Sequence, residues 1–288
     1  LAKFLFFNEK VKIDPDFFIN ILPSLASSLC KLVISEIEYQ NKVIETIFSI
    51  CQSCYKIEPT IVFAFCDFFM NIFDDELNLS TTFFYNIFKS NIEVSYPDDF
   101  FESIYSKSLQ ILNEGSNQII SLFIVMSNKF DVFPIDQFIE IINKNSTQLS
   151  SEDTSNSVYV FYNYMNHNAI TQDNSSTVTS IMSISFDALH LCTNYSIKPS
   201  PIKLLSLLIN FQIDFNDQIV SQFYPIFIKI FNNCSDPDLQ TEYLNETLCE
   251  SILFLLKVIV LLPKVDFPFE LFFPKIFYFL PFTENFSS

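Results

Sequence analysis

Residues 15–32 read PDFFINILPSLASSLCKL, and this stretch decides the fold class. Its apolar residues recur every three or four positions, at Phe17, Phe18, Ile21, Leu22, Leu25, Leu29 and Leu32. An α-helix places residues with this spacing on one face. Asp14 and Pro15 supply the N-cap residue and the first-turn proline that commonly open a helix. The stretch therefore predicts an amphipathic helix that begins at Pro15.

The same spacing continues along the chain in segments of roughly 12 to 20 residues, which is the usual length of globular helices. Further predicted helices begin near residues 36, 59, 80, 97, 116, 134, 158, 178, 201, 215 and 239. Consecutive pairs of segments recur about every 40 residues, the period of stacked two-helix repeats. No segment gives a convincing strand pattern. The sequence therefore predicts an all-α protein of about thirteen helices.

Glycine is almost absent, since the 288 residues contain only Gly115. Tight hairpins and phosphate-binding loops need residues that tolerate positive φ. The scarcity of glycine therefore favours helices joined by plain turns. We expect the helix that opens at Pro97 to end near Gly115, where glycine can adopt the left-handed conformation.

Two polar stretches interrupt the apolar pattern. The stretch 145–157 is rich in Ser, Thr and acids, and it predicts a mobile polar loop. A shorter stretch, 171–177, resembles it. Apart from this loop we predict a single α-solenoid array over residues 1–288. The chain opens on Leu1 rather than Met, so we expect it to be a fragment of a longer chain.

Three segments place a proline inside a predicted helix that begins several residues earlier, at Pro23, Pro225 and Pro274. An interior proline removes a backbone hydrogen bond and bends the helix, at a cost of about 3 kcal/mol that packing on neighbours can offset. Two apolar residues precede each proline, and apolar residues follow at helical spacing. This pattern resembles the first helix of HEAT repeats. The second helices differ from that family, because Phe and Ile stand where it usually has small residues.

The resemblance to the HEAT/armadillo superfamily implies about six or seven antiparallel helix pairs, stacked into a superhelix that binds proteins and catalyses nothing. Acidic, irregular members of that superfamily include the karyopherins, the importin-β and exportin type transport receptors. This second resemblance implies cargo and a small GTPase on the inner face, and Phe-Gly repeats between outer helices. No residue here matches a karyopherin motif. The alternative is a structural HEAT scaffold subunit of a larger trafficking or chromosome-associated complex.

Charge indicates the kind of partner. The formal net charge of −17 disfavours nucleic acid, which selects for Lys and Arg, and it favours basic proteins. Acids from successive repeats could line one face and steer basic cargo. The C-terminal stretch 251–282 is very apolar, but charged residues and prolines interrupt it. We therefore predict a buried terminal repeat over this stretch, and no membrane span.

Residues with catalytic or metal-binding chemistry are few. Cys51 and Cys54 have the spacing of a redox or zinc motif, but no second pair stands at ligand distance, so we expect two thiols on a buried helix face. His167 and His190 are the only histidines. The nearest approach of an acid in the sequence is Asp187, three residues before His190. We predict no catalytic, cofactor-binding or metal-binding residue. An enzyme would instead require a deep pocket with convergent polar groups.

Acid pairs and cysteines have plain interpretations. The pairs Asp74-Asp75, Asp98-Asp99 and Glu152-Asp153 fall at predicted helix ends or in polar loops, where they cap helices or face solvent. The seven cysteines are odd in number and scattered, which favours a reducing compartment in the cytoplasm or nucleus. They are Cys30, Cys51, Cys54, Cys66, Cys192, Cys234 and Cys249.

Overall fold

The structure is a computed structural model that describes residues 15–35, 37–56, 58–90, 92, 96, 99–129, 133–168, 175–211, 222–233, 242–261, 270, 273 and 274. Within these ranges the chain forms twelve α-helices, and none of the described residues lies in a β-strand. The all-α prediction is therefore confirmed.

The helices of the first half are α1 (Pro15–Ser35), α2 (Gln40–Cys54), α3 (Thr60–Asn71), α4 (Leu77–Lys89), α5 (Phe100–Asn113) and α6 (Ile120–Lys129). Those of the second half are α7 (Ile135–Asn145), α8 (Ser151–His167), α9 (Ser175–Asp187), α10 (Ser200–Leu208), α11 (Tyr224–Asn233) and α12 (Leu244–Leu261). Short 3₁₀ turns precede α2 and α6, follow α9 and extend α10. The chain divides into two compact units, residues 1–129 and 130–288. The prediction of one array over residues 1–288 stays a prediction.

In the first unit, every helix except α5 packs on the next helix along the chain, on the next but one, or on both. Helix α1 contacts α2 and α3, helix α2 contacts α3 and α4, and helix α4 contacts α3 and α6. Phenylalanines fill the space between them: Phe65 and Phe69 lie one turn apart on α3, Phe73 lies in the turn that follows it, and all three are fully buried. The Phe69 ring stacks on Phe83 of α4 with centroids 4.1 Å apart. Ile61, Phe65 and Phe69, which recur at helical spacing in the sequence, therefore lie on the buried face of α3.

The second unit has the same order of contacts. Helix α7 contacts α8 and α9, helix α8 contacts α9 and α10, and helix α12 contacts α10 and α11. Aromatic rings again join the helices, with Phe138 of α7 against Phe161 of α8 at 5.6 Å between centroids. Phe223, in the turn before α11, packs on Phe254 of α12 at 4.2 Å. Both units thus have cores built from the inward faces of consecutive helices.

Three lysines each join a helix to the C-terminal end of a helix two positions earlier. Lys107 of α5 donates from Nζ to the Met70 carbonyl at 3.2 Å, and Lys129 of α6 donates to the Ser90 carbonyl at 3.0 Å. In the second unit, Lys257 of α12 donates to the carbonyl of Ser206 at 2.8 Å. Carbonyls at helix C-termini lack intrahelical partners and carry the negative end of the helix dipole. The lysines therefore cap α3, α4 and α10 from alternate helices.

The prediction of a polar loop at 145–157 is wrong for residues 151–157, which form the first turns of α8. Ser150 is the N-cap: its Oγ accepts from the Asp153 backbone N–H at 3.1 Å, and the Asp153 carboxylate accepts from the Ser150 backbone N–H. This reciprocal pair is a capping box, which satisfies two backbone donors at the helix start. The predicted polar stretch 171–177 is likewise wrong from Ser175, where α9 begins; residues 171–174 lie outside the described residues.

The end of α5 matches the prediction for Gly115. This residue has φ of 98°, a conformation that costs any residue with a Cβ. Its N–H donates to the Leu112 carbonyl at 3.0 Å, and the Ser116 N–H donates to the Ile111 carbonyl at 3.2 Å. These two bonds form a Schellman motif, which satisfies the last carbonyls of the helix.

The predicted proline pattern is confirmed at one of its three positions. Pro23 lies inside α1, as the sequence indicated. Pro225 is only the second residue of α11, after a π-helical turn at 222–223, and residues 212–221 lie outside the described residues. Pro274 is described as helical together with Phe273, but their neighbours are outside the described residues. The buried side of α1 also differs from the predicted stripe, because Ala26, Leu29 and Val33 are buried whereas Ile21 and Leu32 are exposed.

Candidate protein-binding surface

Three of the four thiols of the first unit are buried among helices, and the fourth, Cys30, is partly buried. Cys51 and Cys54 lie on the inner face of α2, as predicted, and Cys66 of α3 is also fully buried. Desolvation raises the pKa of Cys51 and Cys66 well above the ordinary thiol value, and it raises the pKa of Cys54 to about 11. The thiolate is the form that attacks disulfides and binds metals. These thiols are therefore packing residues.

The two histidines stand apart from each other. His167 is the last residue of α8, and His190 lies in the turn after α9. His190 Nδ1 is 2.9 Å from the backbone oxygen of Asp187. A carbonyl oxygen can only accept, so Nδ1 carries the proton in this bond. The interaction uses the backbone of Asp187 rather than its carboxylate, so the two side chains do not form an acid–base pair. Within the described part of the chain, no group of three or more His, Cys, Asp and Glu side chains is placed to hold a metal ion.

The three acid pairs have different roles. Asp153 belongs to the capping box of α8, although the sequence placed the Glu152-Asp153 pair in the predicted polar loop at 145–157. Asp74 instead forms an ion pair with Lys107 Nζ at 3.0 Å. Asp99 is the N-cap residue of α5 but makes no side-chain capping bond, and Asp98 lies outside the described residues. Capping therefore explains one pair, and the exposure to solvent that was predicted as the alternative fits Asp74, Asp75 and Asp99.

A charged cluster lies where α10 and α12 pack, and Lys203 is at its centre. Lys203 of α10 forms an ion pair with Glu246 of α12 and interacts electrostatically with Glu250, one turn further along. Burial lowers the pKa of Lys203, but the hydrogen bond to Glu246 and the two carboxylate charges outweigh it, so the pKa is raised overall. Lys203 is thus held in its charged form by the acids of α12.

Glu250 is the acid of this cluster whose ionised form is disfavoured by its surroundings. Desolvation raises its pKa, and the charge of Glu246 adds to the rise, whereas Lys203 and Lys257 lower it. The balance is a raised pKa, so the surroundings disfavour the ionised carboxylate. In this cluster, Glu246 is paired with Lys203, whereas the folded protein disfavours the charged form of Glu250.

Tyrosines and further acids extend the cluster along α8. Tyr159 and Tyr162 stack with centroids 5.7 Å apart, and Lys198 Nζ lies 5.0 Å from the centroid of Tyr159. Tyr243, just before α12, has a pKa raised by desolvation, by a hydrogen bond to Glu242 and by the charges of Glu242, Glu246 and Glu152. Glu152, in the first turn of α8, therefore lies close enough to the acids near α12 to add to their field. We call the surface formed by Glu152, Tyr159, Tyr162, Lys198, Lys203, Glu242, Tyr243, Glu246 and Glu250 the acidic-aromatic surface.

Helix α12 also exposes apolar side chains. Leu253, Leu256 and Val260 are 50%, 44% and 73% exposed, and they follow one another at helical spacing. Phe254, Leu255 and Val258 fill the buried side of the same helix. The sequence predicts a buried terminal repeat, and α12 is buried on one side only.

Sequence reasoning missed the acidic-aromatic surface. Lys203 and Glu246 are far apart in sequence, so periodicity gives no sign that they meet. One signal was available: Glu246, Glu250 and Lys257 interrupt an apolar helix at intervals of one and two turns, which is the spacing of a single face.

Comparisons of the chain with models of protein families, with curated proteins and with solved structures found no match. None of the helices in the described ranges combines the length and the apolar content needed to cross a lipid bilayer.

Proposed function

We propose that the chain is a non-enzymatic, protein-binding α-solenoid of the HEAT/armadillo kind. The observation that carries the proposal is the order of helix contacts. In a two-helix repeat array, each helix packs on its own partner and on the equivalent helix of the next repeat. Most of the described helices of both units pack on the next helix, on the next but one, or on both, whereas α5 contacts mainly the 3₁₀ turn before α6. The lysine caps support the same reading, because each links a helix to one two positions earlier.

Basic protein segments are the proposed partners. The net charge of −17 attracts cations, and the acidic-aromatic surface concentrates carboxylates on α8 and beside α12. Tyr159 and Tyr162 add the rigid aromatic contact area that protein interfaces favour. Charges of this kind steer basic partners and make binding sensitive to salt.

The experiment measures binding of fluorescein-labelled Lys/Arg-rich peptides to the full chain by anisotropy, at increasing salt. Replacing Glu152 and Glu242 by Gln should weaken binding and flatten its salt dependence. Replacing Glu38 and Glu45, which are exposed acids of the first unit, is the matched control and should change little. Equal effects of the two pairs would argue against this surface. Salt-independent binding would argue against a basic partner.

The sharpest version of this function is a segment of a karyopherin-like nuclear transport receptor, which would bind cargo and a small GTPase. The test is a pull-down with the GTP-bound nuclear GTPase and with Phe-Gly repeat peptides. If the chain binds neither the GTPase nor the Phe-Gly peptides, the transport version is excluded. The general proposal of a protein-binding solenoid would still stand. Partners that copurify in fixed stoichiometry would favour the alternative, a scaffold subunit of a larger complex.

A further inference from the structure

A cavity of about 370 Å³ lies in the second unit, where the ends of α7 and α9 meet the start of α8. Ile142, Leu149 and Ile184 give it an aliphatic lining. Asn143, Asp187 and His190 also line it, and all three are exposed, so the cavity opens to solvent at a polar rim. Its volume lies at the lower end of the range for ligand pockets, which suits one long side chain.

The electrostatics of the cavity favour a cation. The lining residues Ile142 and Asn143 belong to the last turn of α7, and Ile184 and Asp187 belong to the last turn of α9. Two helix C-termini therefore direct their negative ends at this place, and the Asp187 carboxylate adds to them, whereas Lys144 in the last turn of α7 offsets part of this field. The start of α8 is the opposing positive end, but Glu152 and Asp153 stand in its first turn and offset it.

His190 adds an acceptor. Because its Nδ1–H donates to the Asp187 backbone oxygen, Nε2 carries the lone pair in the neutral ring. The rim thus offers a carboxylate and an imidazole nitrogen, beside an aliphatic lining. Arginine has the complementary form, with an apolar stem and a planar head of five donors that is always charged.

We propose that this cavity binds an arginine side chain presented by a partner protein. The inference rests on the proposed protein binding and names the residue by which the partner is recognised. It places arginine recognition at a site formed by α7, α8 and α9, whereas the acidic-aromatic surface attracts basic segments in general.

The experiment uses the full chain with ¹³C-labelled isoleucine methyl groups and two blocked amino acids, N-acetyl-arginine amide and N-acetyl-citrulline amide. Citrulline has nearly the same shape but no charge. Titration with the arginine amide should shift the Ile142 and Ile184 methyl signals in a saturable way, with an affinity at least about tenfold above that of the citrulline amide. Equal affinities would overturn the proposal, as would saturable shifts confined to methyl groups elsewhere.

A third probe tests the opposite charge. N-acetyl-glutamate amide should leave the two cavity methyl signals unshifted. Tighter binding of this probe than of the arginine amide would make the start of α8 an anion site and overturn the inference.

Two variants locate the interaction. Asp187→Asn should lower the affinity for the arginine amide several-fold, whereas Glu140→Gln, an exposed acid of α7 that does not line the cavity, should leave it unchanged. Far-UV circular dichroism establishes that both variants fold, and the citrulline comparison needs no variant at all. If salt-sensitive binding of basic peptides persists while the cavity signals do not shift, this inference fails and the proposed function does not.

Discussion

Gly115 has a backbone conformation that a side chain would disturb. At φ of 98° it closes the Schellman motif at the end of α5. Replacement by Ala should lower the free energy of unfolding by about 1–2 kcal/mol, because a Cβ is unfavourable in this region. Urea denaturation measures the loss, and Glu114→Ala, at the preceding exposed position, is the control. Equal stability of wild type and Gly115→Ala would contradict the assigned conformation.

Glu250 makes stability depend on pH in a definite direction. Its pKa is raised in the folded state, so the folded protein holds this proton more tightly than the unfolded chain does. Stability is therefore lost as the pH rises from the unfolded pKa, ordinarily 4.5, through the folded one. Glu250→Gln should be more stable than wild type at pH 7, and the gain should vanish below about pH 4.

The control for this prediction is Glu246→Gln, which removes the acid that is paired with Lys203. It should lower stability at pH 7, in the opposite direction to Glu250→Gln. Thermal unfolding at a series of pH values measures both. A stabilising effect of Glu246→Gln, or a destabilising effect of Glu250→Gln, would show that the charges of this cluster are wrongly assigned.

The rate at which each cysteine reacts with a thiol reagent should depend on how deeply it is buried. Cys51, Cys66 and Cys192 are almost fully buried, and desolvation raises the pKa of Cys192 to about 12. Cys249 is only partly buried and should react with a maleimide in the native protein before these three do. Mass spectrometry of the labelled peptides identifies the sites. Labelling of Cys51 as fast as Cys249 would mean that α2 does not pack as described.

At the scale of the helix, apolar spacing predicted most elements because their buried faces are made of large apolar residues. The start of α8 was missed for a definite reason. Its first buried positions are Ser155 and Ser157, which leave no apolar signal although both are buried. The signal that was present is the capping box, since Ser150 stands three residues before Asp153. Composition indicated a loop where capping indicated a helix, and capping was the better guide.

The capping box provides a test at this scale. Ser150→Ala removes the acceptor for the Asp153 N–H and should lower the free energy of unfolding by about 1 kcal/mol. Ser151→Ala changes the next residue, which is exposed, and should have a much smaller effect. Chemical denaturation of the two variants compares them. Equal losses of unfolding free energy in the two variants would mean that the Ser150 side chain does not stabilise the start of α8.

At the scale of the whole molecule, the sequence predicted the class of fold and much less of the surface. Periodicity reports which face of a helix is buried, so α3 and its phenylalanines could be anticipated. It does not report which helices meet. The lysine caps join residues 37, 39 and 51 positions apart, and the cluster around Lys203 joins α10 to α12. Such contacts depend on how helices are arranged in space, which local pattern does not encode.

The central claim is that the helices pack as a repeat array, in which each helix depends on its near neighbours. The most direct test is hydrogen exchange on the chain without residues 242–288, which removes α12. Repeat arrays lose stability mainly next to a deletion. Amide protection should therefore fall in α10 and α11, which contact α12, and persist in α7 and α8. Loss of protection throughout the second unit would contradict the claim, because it would indicate a single cooperative core.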